Sequence, residues 1–212
     1  MKHRDFVEHL IEDLSPVRPA EPAVPTVALW TSLAWLMAGS FVLATGPLRE
    51  GAIATLATSP RYAIELILAV LGSLTALLAG LELGVPGESR IPRLVVPPLL
   101  LLGGWVAIVV YGLGDPVIET GLSGMRPYCD VQTTLFAVPA LAIGFFALRR
   151  RALYMRTTTG ALLGLAAASV PAAWMQFACL YDPHHALTHH LAPIGLVGLL
   201  GGLVALWLLP QY

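Results

Sequence analysis

Apolar runs long enough to cross a bilayer alternate with short polar loops from residue 26 to residue 209, and Lys and Arg gather in every second loop. A helix needs about 20 mostly apolar residues to span hydrocarbon, where every backbone polar group must be satisfied internally. The runs fall at about 26–45, 61–83, 94–114, 131–148, 157–178 and 192–209. Helix-breaking residues bound them: Gly46-Pro47 after the first, Pro86-Gly87 after the second, Gly114-Asp115-Pro116 after the third and Asp182-Pro183 before the sixth. Pro139 lies inside the fourth, where neighbouring helices can satisfy the freed carbonyl. With 57% hydrophobic and 12% charged residues, the composition is far from that of an ordinary soluble domain. The expected fold is all-α, a six-transmembrane-helix bundle. Residues 1–25 form a cytoplasmic N-terminal helix and linker, 26–209 the membrane domain, and 210–212 a cytoplasmic C-terminus.

Short loops rich in Lys and Arg stay on the cytoplasmic side. With the N-terminus inside, the inner segments hold Lys2, Arg4, Arg18, Arg90, Arg93, Arg149, Arg150, Arg151 and Arg156, while the outer ones hold Arg49, Arg61 and Arg126. That asymmetry predicts a multi-pass protein of the bacterial inner membrane with both termini cytoplasmic. The start of the chain lacks the early apolar core and small-residue cleavage site of a secretory signal, so the polar leader is expected to be retained. A net charge of −1, with no basic stripe interleaved with aromatics, argues against direct nucleic-acid binding. Leu148-Arg149-Arg150-Arg151 reads as a topology anchor at the lipid headgroups. Gly160-x-x-x-Gly164 and Gly198-x-x-x-Gly202 read as close helix-packing faces, within one chain or between two copies of it.

In the leader, Phe6, Val7, Leu10, Ile11 and Leu14 fall on one face of a helical period, with Asp5, Glu8, Glu12 and Asp13 opposite, until Pro16 and Pro19 end the helix. A helix of about ten residues is marginal in water unless a partner covers its apolar face. Its acidic side disfavours the negatively charged inner leaflet and suits a hydrophobic groove with a basic rim on a soluble protein. Phe6, Leu10, Ile11 and Leu14 are the expected partner-binding residues.

The two cysteines, Cys129 before the fourth span and Cys179 after the fifth, both belong to outer loops in this topology. Runs of about 18 and 22 residues rise roughly 27 and 33 Å, so antiparallel neighbours deliver both thiols to similar height. Packed helices lie about 8–10 Å apart and a disulfide needs Cα atoms within about 7 Å, a gap that modest loop adjustment closes. In an oxidising compartment the pair reads either as a static disulfide or as a redox- or metal-responsive switch. The loop that follows reads Asp182-Pro183-His184-His185-Ala186-Leu187-Thr188-His189-His190. Asp182 can cap a helix that Pro183 starts, which puts His185 and His189 on one face as a two-ligand pair for a transition metal, with Cys179 and Asp182 near enough to complete a site. Solvated interfacial histidines are the plainer account. Glu65, one turn into the second span, reads as half of a snorkelling pair with Arg61 near the outer surface.

Taken in order, these pieces resemble a known family. Met1-Lys2-x-x-Asp5-Phe6-Val7-x-x-Leu10-Ile11-Glu12-Asp13-Leu14-Ser15-Pro16-Val17-Arg18-Pro19 looks like the start of NrsF-type membrane regulators, which are six-span anti-sigma factors acting on extracytoplasmic-function sigma factors. Ser59-Pro60-Arg61-Tyr62 leading to Glu65-Leu66, the run Leu148 to Arg151, Thr159-Gly160-Ala161-Leu162-Leu163-Gly164-Leu165, and Cys129 with Cys179 fit the same pattern. The resemblance implies a sigma factor held by the cytoplasmic tail and inner loops, and an envelope signal read at Cys129 and Cys179. No enzyme activity is expected, and no cofactor beyond a transition metal at the outer loops. The chain departs from the family after Cys179, where the loop is His-rich rather than acidic.

Two alternatives come from other classes. Gly121-Leu122-Ser123-Gly124 before the fourth span and His189-His190 before the sixth evoke a rhomboid-like intramembrane serine protease. That chemistry needs a base within hydrogen-bond reach of the nucleophile and donors for the oxyanion. The second span lacks the His-x-x-x-Asn of that family, and Ser123 sits in a polar turn. A His/Cys metal-binding transporter would need paired acids or histidines inside the spans, which the apolar runs do not carry.

Overall fold

A computed structural model describes residues 23–83, 91–115, 126–149 and 153–210. Among the described residues, six helices are long and apolar enough to cross a membrane. In chain order the elements are α1 (Ala23–Thr45), α2 (Ala52–Thr58), α3 (Pro60–Glu82), α4 (Ile91–Gly112), α5 (Cys129–Leu148), α6 (Arg156–Ala178), a short turn α7 (Pro183–His185), a π-helical turn (Ala186–Leu191) and α8 (Ala192–Leu208). The boundaries differ from the sequence expectation by a few residues. α1 begins at Ala23 and takes Pro25 into its first turn, where a missing N–H costs nothing. The sixth span reaches back through the π-helical turn to Pro183. The predicted amphipathic helix with Phe6, Leu10, Ile11 and Leu14 lies outside the described residues, as does Ser123.

α6 is the centre of the bundle. Sixteen of its 23 residues are buried, and most of those are Ala, Gly, Ser or Thr. In lipid no hydrophobic force drives one helix onto another, so close approach of backbones carries the association, and small residues permit it. A Cβ on Gly160 would collide with the Gly201 carbonyl and Ala205, and one on Gly164 with the Val197 carbonyl and Gly198. The two small-residue faces therefore meet within one chain, at the α6–α8 contact.

Interhelical hydrogen bonds tie α6 and its neighbours to the remaining elements. Trp30 Nε1 donates to the Ala140 carbonyl at 2.9 Å, joining α1 to α5. Trp174 Nε1 donates to the Trp35 carbonyl at 3.1 Å, joining α6 to α1. Ser73 Oγ and Tyr62 Oη, both on α3, donate to the α6 carbonyls of Ala166 and Gln176, each at 3.0 Å. α4 leans on α3 from outside, with Leu102 seated over Gly72. The outer surface is a belt of exposed apolar side chains such as Leu29, Leu100, Leu135, Leu199 and Trp207, the last 88% exposed. Contiguous apolar exposure on this scale suits a protein solvated by lipid tails.

The helices run up and down, so Thr45, Pro60, Gly112, Cys129 and Ala178 mark one end of the bundle. Three arginines at that end are engaged by the protein. Arg126 donates to the carbonyls of Val42, Gly46 and Pro47 and to Thr45 Oγ1, closing the C-terminus of α1. The buried Arg49 donates its backbone N–H to the Phe177 carbonyl at 2.9 Å, and its guanidinium lies 5.9 Å from the centre of the Tyr62 ring. Arg61 reaches the Asp115 carbonyl at 3.0 Å.

Candidate functional site

The cysteine end holds four donor side chains in one place. Cys129 is the first residue of α5 and follows Tyr128, whose left-handed backbone (φ 63°) turns the chain sharply into the helix. A bulky residue in that region is uncommon and marks a place where the surroundings impose the conformation. The Cys129 thiol sits 3.2 Å from the Arg126 carbonyl, so the loop that clamps α1 also seats this sulfur. Cys179 extends the last turn of α6 by one hydrogen bond, its N–H donating to the Met175 carbonyl at 2.8 Å. The two sulfurs are 2.7 Å apart and both thiols are free. Val42, Met175 and Ala178 bury them, with Leu48 and Phe136 at the edge. The hydrogen bond to Cys129, and then burial, push the Cys179 thiol above the usual thiol range.

After Cys179 the chain turns back through Asp182, whose carboxylate accepts from the His185 N–H at 2.7 Å, and Pro183 opens the helix as expected. The next turn departs from the expected α-helical spacing. Residues Ala186–Leu191 are π-helical, which widens the turn to i→i+5 and brings His190 beside His185. Their rings meet edge to face at 5.1 Å. His189 stays beside His185 as expected, with ring centroids 4.6 Å apart, and His190 joins them from the other side. His189 points to the rim, 44% exposed, with Nδ1 at 3.7 Å from Asp130 Oδ1. The ligand atoms of Cys129, Cys179, His185 and His190 all lie within 4.8 Å of one another.

His190 is 1% exposed. Among the described residues, neither of its ring nitrogens has a hydrogen-bond partner, and the same holds for His185 Nε2. Both rings instead face the Cys129 sulfur, on which they act as hydrogen-bonding neighbours. Buried polar atoms are paired in the great majority of cases, so three orphaned nitrogens around two thiols require an explanation.

A second polar network backs onto this cluster. Glu65 is 1% exposed and is held on three sides. Tyr181, two residues beyond Cys179, donates to Oε1 at 2.9 Å; Gln176 of α6 donates to Oε2 at 3.1 Å; and Arg61 Nε lies 3.3 Å from Oε1. The Arg61–Glu65 pair expected near the surface exists, but its acid faces inward and serves as a hub rather than snorkelling. Burial and the neighbouring Glu65 carboxylate push the Tyr181 phenol above its ordinary range. Tyr62 stacks edge-on against Tyr181 at 5.0 Å and completes the join of α3 to the Cys179 loop.

Sequence reasoning placed Cys129, Cys179 and His185 in one neighbourhood and missed His190, Gln176 and Tyr181. The signal for His190 was present in the run of four histidines, but an α-helical period selects position i+4. The partner-binding residues Phe6, Leu10, Ile11 and Leu14 stand outside the described residues.

No curated protein and no solved structure matches the chain. A family model described as negative regulator of sigma F matches residues 10–210, nearly the whole chain. The chain belongs to the NrsF family, and its role is negative regulation of a sigma factor.

Proposed function

We propose that this protein is an anti-sigma factor of the bacterial inner membrane. It sequesters an extracytoplasmic-function sigma factor at the cytoplasmic face and releases it when an envelope signal, redox or metal, reaches Cys129 and Cys179. The observation that carries this reading is the contact of the two sulfurs at 2.7 Å, one on α5 and one at the end of α6. Disulfide formation, or binding of a cation between them, changes how these two helices meet at that end. The same two helices are joined at their opposite ends by the loop from Arg149 to Arg156, which carries four of the chain's arginines. A hairpin with two arrangements, one favoured by the modified outer pair, is all the coupling requires. The orientation rests on the same charge asymmetry. The three arginines at the cysteine end do not weaken it, since each is bound into the protein and not left to the headgroups.

The sigma factor is held by the apolar face Phe6, Leu10, Ile11 and Leu14 of the N-terminal segment. Burying a Leu or Phe side chain is worth about 1.5–3 kcal/mol and a factor of ten is about 1.4 kcal/mol, so Leu10→Asp should weaken the complex at least tenfold. The test measures sigma-dependent transcription in Leu10→Asp and in the Cys129→Ser/Cys179→Ser double variant. Leu10→Asp should derepress without stress, and the double variant should lose its response. Intact repression by a stably inserted Leu10→Asp protein refutes the docking face. A wild-type stress response in the double variant refutes the cysteines as the sensor.

A further inference from the structure

The Cys129–Cys179 pair alone would serve a thiol–disulfide switch. Two histidines stand beside it, both turned to the Cys129 sulfur. We propose that Cys129, Cys179, His185 and His190 form a four-coordinate site for one thiophilic d10 cation, Zn2+ or Cu+. The inference deepens the reading of Cys129 and Cys179 as the sensing pair, and rests on it for its regulatory consequence but not for the binding itself.

Three observations converge on a cation. The donor set is two thiols and two imidazoles, the combination that tetrahedral zinc sites use and that also suits monovalent copper. The ligand atoms lie within 4.8 Å of one another. Bond lengths of about 2.3 Å to sulfur and 2.0 Å to nitrogen in a tetrahedron put donor atoms about 3.3–3.8 Å apart, so the four side chains need only sub-ångström to ångström shifts to close on an ion. The third observation favours a site of four ligands over a switch of two thiols. His190 is 1% exposed, and among the described residues its ring nitrogens and His185 Nε2 have no hydrogen-bond partner. A cation takes one lone pair from each ring, and the second nitrogen of each stays an N–H. Its binding replaces the thiol protons, which pass to water.

The π-helical turn at Ala186–Leu191 is what makes the site. It moves His190 inward to the sulfurs and leaves His189 at the rim beside Asp130. Loading the site would tie the starts of α5 and of the sixth span to the end of α6. A disulfide would join α5 and α6 alone. Met175, whose Sδ is 3.8 Å from Cys179 Sγ, offers a further soft donor on the copper side of the choice.

The full-length protein, reduced and purified in detergent, is titrated anaerobically with Zn2+ and, separately, with Cu+ held by a chromogenic chelator; Co2+ reports the geometry. One equivalent is expected, with the intense visible bands of tetrahedral Co2+ bound to thiolate. Removing even a supporting residue behind a ligand costs about 10–100-fold in affinity, so His190→Gln and His185→Ala should each weaken binding at least about tenfold, and His189→Ala should not. Two histidine variants guard against a folding defect in one, and the helical circular dichroism of each apo-protein checks the fold. Met175→Leu should weaken Cu+ and leave Zn2+ unchanged if copper is the ligand. Absence of a stoichiometric ion in both titrations overturns the site, as does a His189→Ala loss equal to that of His190→Gln. Stoichiometric binding with sigma-dependent transcription indifferent to the cation leaves the site standing and removes the sensing role. No binding, with a response still lost in the cysteine double variant, does the reverse.

Discussion

Gly160 offers a clean test of how the bundle is held together. A Cβ at this position would overlap the Gly201 carbonyl and the Ala205 methyl, both on the facing α8, while a Cβ at Gly103 or Gly195 would meet nothing within 4 Å. Gly160→Ala, Gly103→Ala and Gly195→Ala are chemically identical changes, each inside a helix. Each gains helix propensity of at most about 1 kcal/mol. Only Gly160→Ala also overpacks, because backbone and not a flexible side chain blocks the new methyl, and overpacking costs about 1–3 kcal/mol. The propensity gain cancels in the comparison, so Gly160→Ala should be about 1–3 kcal/mol less stable than Gly103→Ala, a factor of about 5–150 in the folded-to-unfolded ratio. Reversible unfolding in mixed detergent micelles, followed by the fluorescence of the chain's 5 Trp, reads this difference. If Gly160→Ala and Gly103→Ala unfold together, backbone contact between α6 and α8 is not what holds the bundle. Small residues on α6 would then need another explanation.

The Glu65 hub and the topology can be tested in the same preparations. Glu65→Leu removes the acceptor shared by Tyr181, Gln176 and Arg61 and should destabilise the protein by about 3–5 kcal/mol, the cost of breaking a buried pair. Glu65→Gln keeps an acceptor oxygen and should lose less; equal thermal unfolding of the two variants in detergent contradicts the hub. Reporter fusions after Arg151 and after Tyr212 should both read cytoplasmic, and a periplasmic reading at either would relocate both cysteines.

Much of this architecture is legible from hydropathy. Lipid removes the ambiguity that burdens soluble sequences: each backbone polar group must bond within its own helix, so length and apolarity mark Ala23–Thr45, Pro60–Glu82 and the other spans to within a few residues. Local chemistry also set the ends, as Ser59 and Asp182 cap the helices that Pro60 and Pro183 open. The likeness of Gly160-x-x-x-Gly164 to Gly198-x-x-x-Gly202 announced two packing faces, and the nearness of Cys129 to Cys179 followed from antiparallel neighbours of similar length.

What tertiary structure decided is which faces and side chains meet, because that depends on helix rotation and crossing, which apolar composition does not encode. α6 and α8 have apolar residues all round, so no amphipathic stripe says that their glycines face each other within one chain. Arg61 and Glu65 sit one turn apart in any helix, but only the arrival of Gln176 and Tyr181 from α6 and its following loop turns the acid inward. His190 shows the limit most plainly. An α-helical period assigns His189 to the face of His185, where its ring does lie, and the π-helical turn, bent back over two thiols from other parts of the chain, brings in His190 as well. A helix can register that extra residue only against the elements it packs on, and the energy that selects it comes from those contacts, not from the local sequence.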